Sequence, residues 1–182
     1  ATSDLSTTAV AKAARQATDI AKANAKSRTQ PVQFAPTKGV GEVSWKTPIR
    51  KHAMEVPLKE KVDLLMDVNA AATNAGASFV NSMLFLVNEQ KYFASTDGSY
   101  IDQDVHRIWL PLTATAIDKA TGRFRTRDGL SAPMGMGYEY LDADPAGKFT
   151  LPGGVVGYGR SYDVHADAVA AAKQARAKLK VP

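Results

Sequence analysis

The sequence predicts an α+β fold, an antiparallel β-meander of four or more strands flanked by about three helices. Two observations carry this. Between Ser78 and Arg127, apolar and alternating runs are divided by turn residues, the pattern of neighbouring antiparallel strands. On either side of that block, and again near the N-terminus, apolar residues recur at helical spacing. Length sets the bound: 182 residues suffice for one domain with a core and are cramped for two.

The elements follow in order. Asp4 to Lys26 reads as an Ala-rich helix with Val10, Ala14, Ala17, Ile20 and Ala21 on one stripe. Ser3 or Asp4 can cap it, because a short oxygen side chain accepts an orphan N–H of the first turn. Its stripe is thin, so it is expected to cover a surface rather than centre a core. Pro31 prevents its continuation. Residues 31–56 read as a connecting arm, with a short strand at Val32 to Phe34 and Trp45 as an apolar anchor. Pro57 suits the first position of a second helix, whose stripe is Leu58, Val62, Leu65 and Val68 or Asn69. Gly76 suits its left-handed cap.

The strands are then Ser78 to Asn88, a turn at Glu89-Gln90, Lys91 to Ser95, and a tight turn at Asp97-Gly98. Tyr100 to Lys119 is a long strand, and Arg123 to Arg127 returns after a turn at Asp118 to Gly122. Pro111 cannot donate to a ladder and marks an edge or a bulge. Residues 128–160 are Gly-rich, a long connector of the kind that is usually functional or mobile. A last helix runs from about Asp163 to Leu179, with Val164, Ala168, Val169, Ala172 and Ala175 on one side. The domain reading is therefore 1–30 as the helix ending a preceding domain, 31–56 as the arm, and 57–182 as an α+β region.

Composition excludes several classes. Hydrophobic residues at 45% and charged residues at 23% are ordinary globular usage, which argues against disorder. No apolar run approaches the roughly 18 residues of a membrane span. Cysteine is absent, so disulfide staples, thiolate zinc sites and cysteine nucleophiles are excluded. The net charge of +5 is modest, and the basic residues read as scattered over three segments. A nucleic-acid binder would concentrate them and interleave aromatics, so charge alone points away from that class.

Three constellations of residues bear on chemistry. Asp102, Asp104 and His106 share one face of a strand, and two carboxylates with an imidazole are a possible weak site for a divalent cation. The plainer reading is a solvated strand end before Ile108, Leu110 and Leu112. The glycines of Gly135-Met136-Gly137 and 153–159 lack the Lys and the strand–loop–helix context of a phosphate cradle. Ser131, Ser161, Asp163 and His165 lie near one another in sequence without a nucleophile elbow, and His52 has no evident partner. No residue is assigned a catalytic, cofactor-binding or metal role on these grounds.

The order of segments is more specific than any one of them. Ala1-Thr2-Ser3-Asp4-Leu5-Ser6 before an Ala-rich helix, Trp45-Lys46-Thr47-Pro48, and Pro57-Leu58-Lys59-Glu60-Lys61 opening a helix with Leu64-Leu65 resemble the middle of TldD/PmbA-family proteins, the so-called modulators of DNA gyrase. Ser95-Thr96-Asp97-Gly98 is similar to that family's "SSDG" hairpin, and Asp104-Val105-His106-Arg107 and the later Gly-rich stretch also fit. The resemblance implies a bacterial zinc-dependent metallopeptidase whose C-terminal domain carries a helical H-E-x-x-x-H motif and a distant Cys ligand. It implies that zinc belongs to that domain, that this chain is a fragment upstream of it, and that Lys180-Val181-Pro182 resembles the linker before it. No family metal or catalytic residue falls on a position here. TldD-like subunits are active and PmbA-like partners have lost the motif; the hairpin is nearer the TldD side.

The expected function is thus a non-catalytic region, inactive alone, that shapes a peptide-substrate chamber and a subunit interface. Its partners would be peptides or unfolded protein, paired along exposed strand edges, and other family subunits in a homo- or hetero-oligomer. The Pro111-bearing strand and the Gly-rich loop are the expected edge and lid. Localisation is expected to be cytoplasmic, or periplasmic if an export signal precedes Ala1. The alternative is a standalone α+β binding module with a metal or ligand site at Asp102, Asp104 and His106. A third reading, nucleic-acid binding through the basic helices, predicts affinity that falls steeply with salt.

Overall fold

The computed structural model describes residues 1–30, 32–141, 148–150, 156–158 and 162–181. The chain divides into two compact units, Ala1–Lys38 and Gly39–Pro182. The first is built on α1 (Thr7–Ala25). Its cap is Ser6, whose hydroxyl accepts from the Ala9 N–H at 3.3 Å, rather than Ser3 or Asp4. Asp4 instead receives the Ser6 N–H at 2.9 Å and shapes the turn before the helix. No residue of α1 is buried, as its thin stripe suggested.

The second unit is α+β. Its elements are β1 (Gly41–Lys46), α2 (Leu58–Asn74), β2 (Phe79–Ser82), β3 (Phe85–Ser95), β4 (Ser99–Trp109), β5 (Leu112–Ile117), β6 (Phe124–Asp128), a 3₁₀ turn (Tyr138–Leu141), β7 (Lys148–Thr150), β8 (Val156–Tyr158) and α3 (Val164–Lys178). The strands form two three-stranded sheets, ordered β1-β4-β3 and β2-β5-β6, and a β7-β8 pair. A single meander is therefore replaced by two sheets, and the cause is local. Pro111 has no N–H to donate, and the Leu110 N–H leaves the ladder for the Ser131 hydroxyl at 3.3 Å, so the predicted strand 100–119 breaks into β4 and β5. The opposite strand breaks at the same level, where the Met83 N–H bonds the Pro111 carbonyl at 3.0 Å.

The turn expected at Glu89-Gln90 does not form. That dipeptide lacks a turn residue, and β3 runs straight through it, with Glu89 bonding Arg107 across the ladder at 2.9 Å. The hairpin closes at Gly98, with φ of 92°. The arm contributes its strand at β1 rather than at Val32 to Phe34, and β1 lies parallel to β4 in register Gly41↔Ser99 through Lys46↔Asp104. Trp45 is no anchor: it is 48% exposed. Thr47 is buried instead, its hydroxyl accepting from the His106 N–H at 3.0 Å.

The core lies where α2 and α3 pack over the second sheet. Val68 and Ala72 of α2 meet Ala168, Ala171 and Ala172 of α3, above Leu112 and Ala114 of β5. Alanine on both surfaces lets backbones approach closely, so the helices gain contact area without large side chains. The stripe of α2 is rotated from the expected one: Leu58 and Val62 are exposed, and Leu64 and Leu65 are half-buried. Pro57 caps this helix from just outside it. Gly76 takes φ of 105° at its C-terminal end, under the Arg176 side chain. Ile108, Leu110 and the 3₁₀ turn (Tyr138, Tyr140, Leu141) extend the same core toward the first sheet.

Candidate functional site

β4 is the centre of the first sheet, so its alternating side chains reach both faces. One face carries Asp102, Asp104 and His106, as their period-2 spacing requires. Their surroundings are fixed by cross-strand pairing. Ser44, opposite Asp102 on β1, donates to its carboxylate at 3.2 Å. Asn88, opposite His106 on β3, donates to Asp104 Oδ1 at 2.6 Å and lies 3.2 Å from His106 Nε2. His106 Nε2 is itself 3.2 Å from Asp104 Oδ1. The His52 ring meets the His106 ring edge-on, with centroids 4.8 Å apart. His52 thus has the partner that sequence did not supply.

The solvated-end reading fails at His106, which is only 5% exposed. The donors nevertheless do not fit a zinc site. Asp104 and His106 are joined by an amide that already occupies their facing atoms, and Asp102 is held by Ser44. Among the described residues, no three His, Asp or Glu side chains converge as a ligand set. A structural zinc site takes four protein ligands and a catalytic one three.

The opposite face of the same sheet is apolar toward its two ends and polar between them, at Glu89, Lys91, Gln103 and Arg107. Register places Val43 and Trp45 of β1, Ile101, Val105 and Trp109 of β4, and Phe85, Val87 and Phe93 of β3 on it together. Phe85 and Trp109 stack with centroids 5.5 Å apart, beside a hollow of about 220 Å³ lined by Val87, Arg107 and Pro133 as well. Glu89, Lys91 and Arg107 cross this face as an ion trio, with nitrogen–oxygen distances of 2.9 and 3.3 Å to Glu89. Most of these apolar groups remain accessible: Trp45 48%, Phe93 54%, Phe85 46%. β1 and β3 are both outer strands, so backbone donors and acceptors on their far sides face outward. The edges are therefore β1 and β3 here, and β2 and β6 in the second sheet. The Pro111-bearing segment lies between two central strands and offers no edge.

Two further sequence candidates, Asp163 and Ser131, hold structure together, and His165 lies exposed on α3. Asp163 caps α3, accepting from the Ala166 N–H at 2.9 Å, and Ser131 receives the Leu110 N–H. Ser161 and most of the glycine run 153–159 lie outside the described residues. Gly137 sits against the Lys51 carbonyl and the Glu139 carboxylate, where a Cβ has no room. Buried Glu139 bonds the N–H groups of Gly137 and Lys51 at 3.1 and 2.9 Å, stapling the arm to the 3₁₀ turn. Gly137 therefore serves close packing, while a Cβ at Gly135 would meet only ordinary contacts.

A family model described as the PmbA/TldA metallopeptidase central domain matches residues 51–179. The chain belongs to this family. The match starts just after β1 and takes in α2, the β3–β4 hairpin, the second sheet and all of α3. No curated protein matches the chain. As a PmbA/TldA central domain it carries the expected α+β elements, and no helix among the described residues is long and apolar enough to cross a membrane.

One feature of this central domain had no signal in the sequence. Asp167 on α3 is 8% exposed and accepts from Arg127 at 2.6 Å, the Leu130 N–H at 2.6 Å and the Tyr162 hydroxyl at 2.5 Å. Its three donors come from β6, the following loop and the residue before the helix cap. Only an aligned pair of Asp167 and Arg127, forty positions apart, would have disclosed it.

Proposed function

We propose that this chain is a non-catalytic region of a PmbA/TldA-type metallopeptidase that forms a wall of the peptide-substrate chamber and part of the subunit interface. The observation that carries the reading is the first sheet. It has two outer strands with open backbone edges and a face with two accessible apolar patches, around Phe85, Val87 and Trp109 and around Val43, Trp45 and Phe93, divided by Glu89, Lys91, Gln103 and Arg107. An isolated soluble domain rarely exposes contiguous apolar surface of this kind, whereas a surface that receives another chain does. An outer strand recognises an extended peptide main chain to main chain, independent of its sequence, and apolar side chains add grip on one face. Zinc, in this reading, is held by another region of the metallopeptidase, since the donors around His106 do not fit it.

The test uses a labelled, reduced and alkylated lysozyme peptide, which is unfolded and basic, in fluorescence anisotropy. The chain is expected to bind it, and the double substitution Trp45→Glu and Phe93→Glu to weaken binding roughly tenfold or more. Both positions are exposed, so the melting temperature should stay nearly constant, within the change expected for about ±0.5 kcal/mol per surface site. Undiminished binding by the double variant, or hydrolysis of the peptide by this chain alone, would contradict the proposal.

A further inference from the structure

The positive charge that reads as scattered in the sequence is gathered by the fold. Two open grooves, of about 530 and 480 Å³, lie on either side of the last turn of α3. Lys173, Arg176 and Lys180 line one, and Arg123, Arg125 and Lys178 line the other; among the described residues their lining includes a single carboxylate, Asp118. Six of the chain's 23 Lys and Arg thus meet one of its 18 Asp and Glu, which leaves seventeen of each elsewhere. Asp118 is tied mainly to its own turn, accepting from the Thr121 hydroxyl at 2.7 Å and the Ala120 N–H at 3.0 Å, and it offsets part of the Arg123 charge.

Part of this has a plain cause. Arg176 and Lys178 stand in the last turn of α3, where the helix dipole favours cations. That does not account for β6. Arg125 and Arg127, with Arg123 immediately before the strand, alternate along one face of it. Arg127 is answered by Asp167, while among the described residues Arg125 and Arg123 hydrogen-bond backbone carbonyls, of Phe124 and Val181, and Arg123 also lies in the field of Asp118.

The backbone of β6 points the same way. The Asp118 N–H bonds the Arg123 carbonyl and the Gly129 N–H bonds the Leu112 carbonyl, so the odd-numbered residues of this strand face β5. Phe124 and Thr126 therefore turn their backbone groups to the open side. Their carbonyls are taken by Arg125 at 3.1 Å and Lys178 at 2.8 Å. What the edge offers a newcomer is N–H donors beside cations, with an exposed Phe124 ring next to them.

We propose that the open edge of β6, with Arg123, Arg125 and Lys178, binds an extended acidic segment of polypeptide. Its carbonyls accept from the outward N–H groups, as an added strand does. Its alternate carboxylates, about 6.6 Å apart on one face, match the period of Arg123 and Arg125 along β6. This surface is separate from the first sheet and does not depend on the chamber reading. Duplex or single-stranded nucleic acid is the disfavoured occupant, because among the described residues Phe124 is the one aromatic lining the two grooves, too few to interleave with bases.

Anisotropy with a labelled peptide of alternating Glu and Thr tests it, against the matching Gln/Thr peptide and an oligothymidine of equal length. The acidic peptide is expected to bind best, to weaken with added salt, and to lose about tenfold in affinity to the Arg125→Gln/Lys178→Gln variant. In the unaltered chain, amide exchange at Phe124 and Thr126 should slow when the acidic peptide is present, a readout that needs no variant to fold. Equal binding of the Gln/Thr peptide, stronger binding of oligothymidine, or protection confined to other strands would overturn the proposal. Because the probe for the first sheet is basic and this one acidic, failure here leaves that reading standing.

Discussion

Replacing Asp167 with Asn is expected to destabilise the second unit by about 3–5 kcal/mol, because it leaves the Arg127 guanidinium enclosed without its anion. The Arg127 and Asp167 side chains are 12% and 7% exposed, so water replaces little of what is lost. Burial pushes the Asp167 carboxyl up, but the hydrogen bonds from Tyr162, the Leu130 N–H and Arg127, together with the Arg127 charge, outweigh it and hold the group below the usual carboxylate range. Burial and the same carboxylate push the Tyr162 hydroxyl well above the ordinary phenol range, so it stays a donor throughout. The sign of the pH dependence follows. A carboxyl depressed in the folded state contributes stability above its unfolded value, near 3.9, and that contribution is lost as pH falls through the folded one. Urea midpoints measured from pH 7 down to pH 2.5 should therefore fall for the parent chain and fall less for Asp167→Asn. Equal slopes, or a loss below 1 kcal/mol at pH 7, would show that the network is dispensable.

The second large effect is at Ile108. It is fully buried near the C-terminal end of β4, and its N–H and carbonyl bridge Met134, both at 2.9 Å. Ile108→Ala removes three methyl or methylene carbons and leaves a cavity, which costs about 2–5 kcal/mol at such sites. The neighbouring contrast is Val87→Ala on the other face of the same sheet. Val87 is 41% exposed, so its truncation should cost well under 1 kcal/mol. Chemical denaturation of the two variants separates a sheet packed on one side only from a sheet packed on both. Similar losses would mean that the apolar face is covered within the folded chain.

These two positions also show what the sequence discloses. Ile108 was legible: an apolar residue in an alternating run, in phase with Leu110. So were the helices, the Asp97-Gly98 hairpin and the Asp118–Gly122 turn, each set by local chemistry such as a cap, a positive φ or a tight Asx bond. The division into two sheets was not, because alternation continues through Leu110-Pro111 and only the long-range bonds to Ser131 and Met83 reveal the break. Parallel pairing of β1 escaped for the same reason, since nothing near Gly41 names Ser99 as its partner. Asp102, Asp104 and His106 were correctly placed on one face, yet Asn88, Ser44 and His52 that engage them come from three other segments. The cations beside β6 looked dispersed because residues 123–125 and 173–180 meet only once α3 folds back on the sheet.

The most direct test of the chamber-wall reading is hydrogen exchange of the chain with and without the unfolded lysozyme peptide. Added peptide should slow exchange in Gly41–Lys46 or Phe85–Ser95, the outer strands of the first sheet, while the amides of β5 stay unchanged. Unaltered exchange in both outer strands at a peptide concentration that saturates binding would contradict it.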